Sequence, residues 1–398
     1  MKKVYLAVIG CIGLMASACA EKDSVTVEIS NDSDMDFHDK MVELPLSQLE
    51  SKLPEAKSFI VKDSEGHEIP SQLTYDSLLI FQANVNSGET ASFSISPCDS
   101  VKQYEQLVAG RIYPERADDV AWENEIVGFR VYGPGTQNKG ERAYGYDLFF
   151  KYPDQGLVLE KLYEPETNPE TWVKVDSLRA IDSALAEEFI ESFSYHVDHG
   201  MGMDCFPCGP TLGAGVAVPL VGDSLSFSWC YKNAEVLDNG PLRFTVKMDF
   251  EPRTVGDNTN VVEHRTISLD AGSRFNKTTV NYENLRNPMT VATGFPLRDE
   301  MPYYDKPDSL NLIAYSHPVQ REEYGRALLG VAVPECYGKA EKKQGHLVMV
   351  RDLQPGESHK YYWGFKWQKN PEQNIDSWVE EVQSEIRGKQ QDLKITIR

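Results

Sequence analysis

Leu242-Arg-Phe-Thr-Val-Lys-Met-Asp-Phe250 is followed by Val261-Val-Glu-His-Arg-Thr-Ile-Ser-Leu269 and then by Lys277-Thr-Thr-Val-Asn-Tyr282. Each stretch alternates apolar and polar residues, the period of a strand that keeps one face in a core. Leu225-Ser-Phe-Ser-Trp229 does the same upstream, and Thr266 to Gly272 ends one strand in a turn. Strands this close in sequence, with few helical stretches between them, predict large antiparallel sheets packed face to face. Two helices are expected within residues 108–398: one where Ile181, Leu185 and Phe189 recur at helical spacing, the other where Ile375, Trp378, Val379, Val382 and Ile386 do. A last strand, Leu393 to Ile397, follows the second helix. Before residue 108 the same period appears in Val25, Val27 and Ile29, in Phe59-Ile-Val61, in Leu78 to Phe81 and in Phe93-Ser-Ile95. Hairpin turns at Asp63 to Gly66 and Asn86 to Gly88 separate some of these strands. Residues 24–100 are therefore expected to form a small immunoglobulin-like sandwich, joined by a linker over Lys102 to Leu107 to the larger unit. The fold class expected is all-β.

The 398 residues carry 61 acidic side chains against 40 Lys and Arg, a net charge of −21 that repels a polyphosphate and argues against nucleic acid as a partner. Met1-Lys2-Lys3 precedes an apolar run from Val4 to Ala18, which reads as a signal peptide over residues 1–18. Its end, Ala16-Ser17-Ala18-Cys19, resembles a bacterial lipobox, so Cys19 is expected to carry a lipid and residues 19–23 to be a tether to the outer membrane, on its periplasmic or its cell-surface face. Five cysteines remain after Cys11 and Cys19 are set aside. Cys205 and Cys208 form the CxxC motif, read as a disulfide or as two buried thiols, because no second ligand pair at zinc spacing accompanies it. No metal or other cofactor is expected.

Chemistry concentrates in a few segments. Tyr195-His-Val-Asp-His-Gly-Met-Gly-Met-Asp204 combines His196, His199 and Asp204 with glycines that let a backbone approach a ligand, and a loop histidine suits proton transfer near neutral pH. Trp122-Glu123-Asn-Glu125 with Phe129-Arg130-Val-Tyr132-Gly133 places aromatics beside carboxylates and a guanidinium, the groups that stack on a pyranose and bind its hydroxyls or a carboxylate. Tyr146, in Tyr144-Gly-Tyr-Asp147, adds a phenol, and Glu263 and Arg265 share one face of their strand. No nucleophile elbow, phosphate loop, HExxH or dinucleotide fingerprint is present.

The run Lys277 to Gly294, with its Glu283-Asn-Leu285 and Asn287-Pro-Met289, and the preceding Val262 to Ser273 resemble the strand–turn–strand core of galactose-mutarotase-like β-supersandwich domains. Where mutarotases carry a catalytic histidine, this chain reads Gly294-Phe-Pro-Leu-Arg-Asp299. More broadly, Trp122 to Glu125, Phe129 to Gly133, His199 to Asp204 with Gly209 to Gly213, and Asp238 to Arg243 resemble a lipoprotein family found with bacterial polysaccharide-utilisation genes. That resemblance implies a carbohydrate-active protein, with a lyase or hydrolase of uronic-acid-containing, pectin-like glycans as the expected activity. For β-elimination, His199 or Tyr146 would be the base, Tyr132 the acid and Arg130 the partner of the carboxylate; for hydrolysis, Asp204 and Glu263 would be the paired acids. Trp122, Glu123, His196, Arg243 and Arg265 complete the expected substrate contacts. A non-catalytic glycan-binding protein and a sugar epimerase or mutarotase are the alternatives.

Overall fold

The structure, a computed structural model, describes residues 24–53, 57–305, 309–336, 340–369 and 374–398. The signal segment and Cys19 lie outside the described residues. The fold is all-β, with antiparallel sheets packed as sandwiches and a few helices.

Arg243–Phe250, Asn258–Asp270 and Phe275–Glu283 are successive antiparallel neighbours in a nine-stranded sheet. Their apolar alternates Phe244, Val246, Met248, Ile267, Leu269 and Val280 are all buried on one face. Two five-stranded sheets cover that face, one bringing Trp122, Phe129, Leu148 and Phe150 and the other Val218, Val291 and Val348 into a common core. In the first of these sheets, Asp119–Asn124 and Asp147–Lys151 are buried at every position and so do not alternate. Their second face is roofed by a helical excursion, Leu159–Thr167, Pro169–Arg179 and Ser183–Glu191. Leu159, Leu162 and Tyr163 of its first helix pack on Tyr113, Ala121 and Phe149.

The sequence pattern foresaw one helix in this excursion and the wrong buried face for it. Ile181 stands in the preceding turn, 77% exposed, and Leu185 is also exposed, while Ala186 is the buried position. Pro169–Arg179 and Ser183–Glu191 pack on each other, so a small residue at their contact is enough.

The N-terminal sandwich has a five-stranded and a three-stranded sheet around Val27, Ile29, Val61, Phe81 and Ile95. Its fifth strand comes from the other end of the chain: Lys394–Ile397 pairs with Val25–Ser30, with Ile397 opposite Val27. The final strand, grouped by sequence with residues 108–398, thus belongs to the first sandwich. On the way back, helix Ile375–Gln390 buries Trp378, Val379, Val382 and Ile386 against Phe275, Leu312 and Leu328 on the outer face of the nine-stranded sheet. Gln72 fixes the junction: its Oε1 accepts from the backbone N–H groups of Leu242 and Arg243 at 2.9 and 2.8 Å, and its Nε2 donates to the Arg243 carbonyl at 3.0 Å.

Candidate functional site: a cleft on the outer face of the large sheet

The N-terminal sandwich and the C-terminal helix cover only part of that outer face. Between them lies a cleft of about 580 Å3, whose floor includes Arg243, Ser268, Asp270, Lys277 and Tyr362. The floor follows from strand register. Thr245 faces Ser268, Ser268 faces Lys277 and Lys277 faces Tyr362, so four neighbouring strands set one polar row across the sheet. Thr266 opposite Thr279 begins the next row, and both line an adjoining recess of about 170 Å3 with Thr245 and Tyr75.

One wall is the strand Phe37–Pro45, whose register slips between Phe37 and Lys40. Asp39 takes the left-handed backbone conformation there, φ 50°, and its N–H leaves the ladder to bond Asn84 Oδ1 at 2.8 Å. Such a bulge re-aims side chains that a regular strand would send elsewhere; here His38, Asp39 and Lys40 line the cleft.

Arg243 organises the charges. Its Nε and Nη2 donate to the two carboxylate oxygens of Asp270 at 2.6 and 3.1 Å, and Nη2 also meets Glu43 at 2.6 Å. Burial opposes ionisation of Asp270, but Arg243, with Lys389 3.8 Å away, outweighs it and holds the carboxyl down to about 2. Lys277, exposed on the floor, makes no ion pair among the described residues. Lys40 Nζ donates to the Gly388 carbonyl at 2.6 Å, and burial together with the nearby Lys389 charge pushes its pKa below the usual lysine range.

Of the residues expected from sequence, Arg243 alone lines this cleft. Arg130, Tyr132, His196 and Asp204 do come together, with Asp147, but elsewhere, in a closed cluster on the helix-covered face of the first five-stranded sheet. Arg130 Nε donates to Asp147 Oδ2 at 2.9 Å and its Nη2 to Asp204 Oδ2 at 2.6 Å, with the three side chains 1%, 0% and 2% exposed. Tyr132 Oη donates to Asp147 Oδ2 at 2.7 Å and accepts from Arg130 Nη2 at 2.8 Å. Phe149 and Tyr195 rings lie 5.0 and 5.9 Å from the guanidinium. Burial, resisted by Arg130, pushes Asp147 up to about 6 and drives the Tyr132 phenol far above its usual value, so Tyr132 stays protonated at neutral pH. His196, half exposed, places Nδ1 2.9 Å from the Asp204 carbonyl oxygen and 3.7 Å from its carboxylate. These groups tie the glycine-rich loop to the sheet.

The expected partnership of this cluster with Tyr146, Glu263 and Arg265 is corrected. All three lie between the sheets: Tyr146 stacks on Trp363 at 4.0 Å and its Oη is 3.2 Å from that of Tyr361. Arg265 bonds Glu263 and lies 4.5 Å from the Phe250 ring centre. On Asn258–Asp270 they share parity with Ile267 and Leu269, so the period that buries those buries them too.

Trp122 and Glu123 are likewise structural. Trp122 is fully buried, donating Nε1–H to Asn276 Oδ1 at 2.8 Å. Glu123 bonds the Lys151 ammonium and accepts from Val158 N–H and Leu159 N–H at 2.8 and 2.7 Å, satisfying free donors at the start of helix Leu159–Thr167. His199 is exposed and makes no hydrogen bond or ion pair among the described residues. Cys205 and Cys208 are buried free thiols.

Glu43, Asp270, Lys277, Lys389 and Lys40 were missed. The signal for Asp270 and Lys277 was present, since both occupy the polar parity of strands whose apolar parity is unambiguous. Nothing local in sequence marks Glu43, Lys40 or Lys389, which reach the cleft only because the first sandwich and the last helix fold over the sheet.

Known proteins supply context. The chain is 23% identical over 428 aligned residues to the uncharacterized protein P7 of Formosa agariphila, with 100% of both chains covered. Among solved structures it is similar to a glycosyl hydrolase family 38 protein from Enterococcus faecalis, at 10% identity and a TM-score of 0.49, with 94% of this chain and 47% of that one covered. It is also similar to an alpha-mannosidase from Enterococcus faecalis V583, at 9% identity and a TM-score of 0.47, with 94% and 46% covered. The chain thus spans about half the length of these two solved proteins. A family model matches residues 29–395, nearly the whole chain, and the protein belongs to that family, described as Domain of unknown function (DUF4861).

Proposed function

We propose that the protein acts on carbohydrate, taking an oligosaccharide from polysaccharide breakdown into the cleft. The observation that carries this reading is the floor: rows of hydroxyl side chains with Arg243 and Lys277 among them, in a space of about 580 Å3. Hydroxyl side chains both donate and accept, matching sugar hydroxyls one for one, and a volume of several hundred Å3 is that of a small-ligand site. Within this reading the substrate is a uronic-acid-containing glycan. Arg130 and Arg265 are already paired inside the protein and Arg243 is held by Asp270 and Glu43, so the carboxylate falls to Lys277. The reaction proposed is β-elimination or hydrolysis. Lipidation at Cys19 and residence at the outer membrane belong to the same proposal and are checked by metabolic labelling with a fatty acid.

The test is incubation of the purified protein with pectic and other uronate glycans, followed by ultraviolet absorbance of an unsaturated uronide and by reducing ends. Either product supports an enzyme. Absence of both, together with no calorimetric binding of any acidic or neutral oligosaccharide, sinks the carbohydrate reading. A second reading, glycan binding without cleavage, is favoured by one feature: Arg243 holds Asp270 at about 2, and a carboxyl held there cannot serve as the protonated acid that hydrolysis requires. Binding without product would select it.

A further inference from the structure

Lys277 has a counterpart on the same polar face. Thr279, which lines the smaller recess, stands directly opposite Lys360 of the neighbouring strand His359–Gln368, just as Lys277 stands opposite Tyr362. The four residues make a square, with Lys277 and Lys360 on one diagonal and Tyr362 and Thr279 on the other. Diagonal neighbours on paired strands are about 7–8 Å apart. Both lysines are exposed, and neither ammonium makes an ion pair or a hydrogen bond among the described residues.

The other cations of this face are committed. Arg243 is held by Asp270 and Glu43, Lys389 stands 3.8 Å from Asp270, and Lys40 donates to the Gly388 carbonyl. Lys247, in the same cross-strand row as Thr279 and Lys360, lies 3.3 Å from Asp249. Beyond that row the face turns acidic, where Asp249 and Glu283 flank His264 at 2.5 and 3.2 Å. On the recess side stand Glu43 and Asp76. An anionic chain with one acid group on Lys277 is therefore repelled from both of those sides and drawn across the strand pair to Lys360.

We propose that Lys277 and Lys360 hold acid groups on two adjacent sugars of one chain, so that the substrate is a run of uronates and not a neutral chain with an isolated one. The proposal rests on the uronate-glycan reading and deepens it by adding a second acid subsite at the rim of the recess. A single anion shared by both lysines would draw two like charges together, whereas two acids in succession let the ammonium groups stay apart. The other diagonal serves the sugar itself: the Tyr362 ring offers an apolar face to a pyranose, and the Thr279 hydroxyl both donates and accepts.

Calorimetry on the full chain compares acidic trimers of galacturonate, mannuronate and guluronate with their methyl esters and with the monomers. A trimer is expected to bind more tightly than its monomer or its ester. Lys360→Ala, checked for fold by circular dichroism, should weaken the trimer about fivefold, the upper range of an exposed ion pair, and leave the monomer unchanged. Lys360→Arg should restore the trimer's affinity, and Lys277→Ala should weaken trimer and monomer alike. If Lys277→Ala weakens both and Lys360→Ala changes the trimer by less than about twofold, the second acid subsite falls and the uronate reading stands. If Lys360→Ala weakens the monomer as much as the trimer, the lysines share one anion and the run of uronates falls. If no acid binds more tightly than its ester, the uronate reading itself falls and takes the second subsite with it.

Discussion

Replacing Asp270 by Asn tests the electrostatic account of the cleft, because it removes the charge that Arg243 and Lys389 face while preserving shape. The carboxyl is held at about 2 in the folded protein, against about 3.9 in an unfolded chain, and each unit corresponds to about 1.4 kcal/mol. The ionised side chain therefore contributes about 2–3 kcal/mol to stability at pH 7. The folded value is the lower one, so on acidification the unfolded chain takes up the proton first. The contribution is complete above about pH 5 and is lost as pH falls toward 2, with about half remaining at pH 3. Urea unfolding of both chains at pH 7 and pH 3 reads this directly, since other groups titrate in both and cancel in the difference. At pH 7 Asp270→Asn should be about 2–3 kcal/mol less stable, and the gap should narrow by about half at pH 3. A gap below about 0.5 kcal/mol at pH 7, the size of an exposed pair, or one that does not change with pH would refute the reasoning.

The closed cluster should respond with the opposite pH sense. Arg130→Ala leaves Asp147 and Asp204 buried without their cation, a loss of about 3–5 kcal/mol for a broken buried pair. Because the Asp147 pKa is raised in the folded state, to about 6, its stabilising contribution is present at low pH and lost as pH rises through that value. Thermal unfolding of the variant should therefore show a smaller deficit at pH 5 than at pH 8. Gly145→Ala would put a Cβ 2.2 Å from the Gly213 nitrogen, where Tyr146 and Gly213 form a parallel bridge; chemical denaturation should register about 1–3 kcal/mol of overpacking. Lys277→Ala should weaken calorimetric binding of an acidic oligosaccharide about tenfold, the value of one charged hydrogen bond, and leave its neutral counterpart unchanged.

The fold was legible wherever one face alone is buried. Phe244, Val246, Ile267 and Leu269 declare their strands because the other parity is polar, and the stripe of Trp378, Val379, Val382 and Ile386 declares its helix for the same reason. The signal failed where burial is two-sided or lateral. Asp119–Asn124 is buried throughout under its helical roof, so its carboxylates and Trp122 look like an exposed recognition motif when read in sequence. Ile181 and Leu185 have helical spacing without a core beneath them. The pairing of Lys394–Ile397 with Val25–Ser30 is a contact between the two ends of the chain, and no local pattern specifies it.

The site was harder to read because residue type stood in for position. Arg, Asp, Tyr and Trp in a glycine-rich context do suggest chemistry, and Arg130, Tyr132, His196 and Asp204 are indeed neighbours. Yet the guanidinium is bonded to two buried carboxylates through Nε and Nη2, and its unpartnered Nη1 is buried too, so no donor of Arg130 faces a substrate that could approach from solvent. Parity carries more information. Glu263 and Arg265 stand four and two residues from Ile267, so the strand that buries the isoleucine must bury them, whereas Ser268 and Asp270 take the other face by the same count. Applied to Phe275–Glu283, the rule turns Lys277 and Thr279 outward with them and Thr278 and Val280 inward. Two adjacent strands then offer a polar floor, and an open cation on it, before any tertiary contact is known. What parity cannot supply is the wall that converts a polar sheet face into a cleft, and that wall is where Lys40 and Glu43 enter. A chain at −21 can still present Lys277 to an anion because the acids nearest to it on the floor are already held by Arg243.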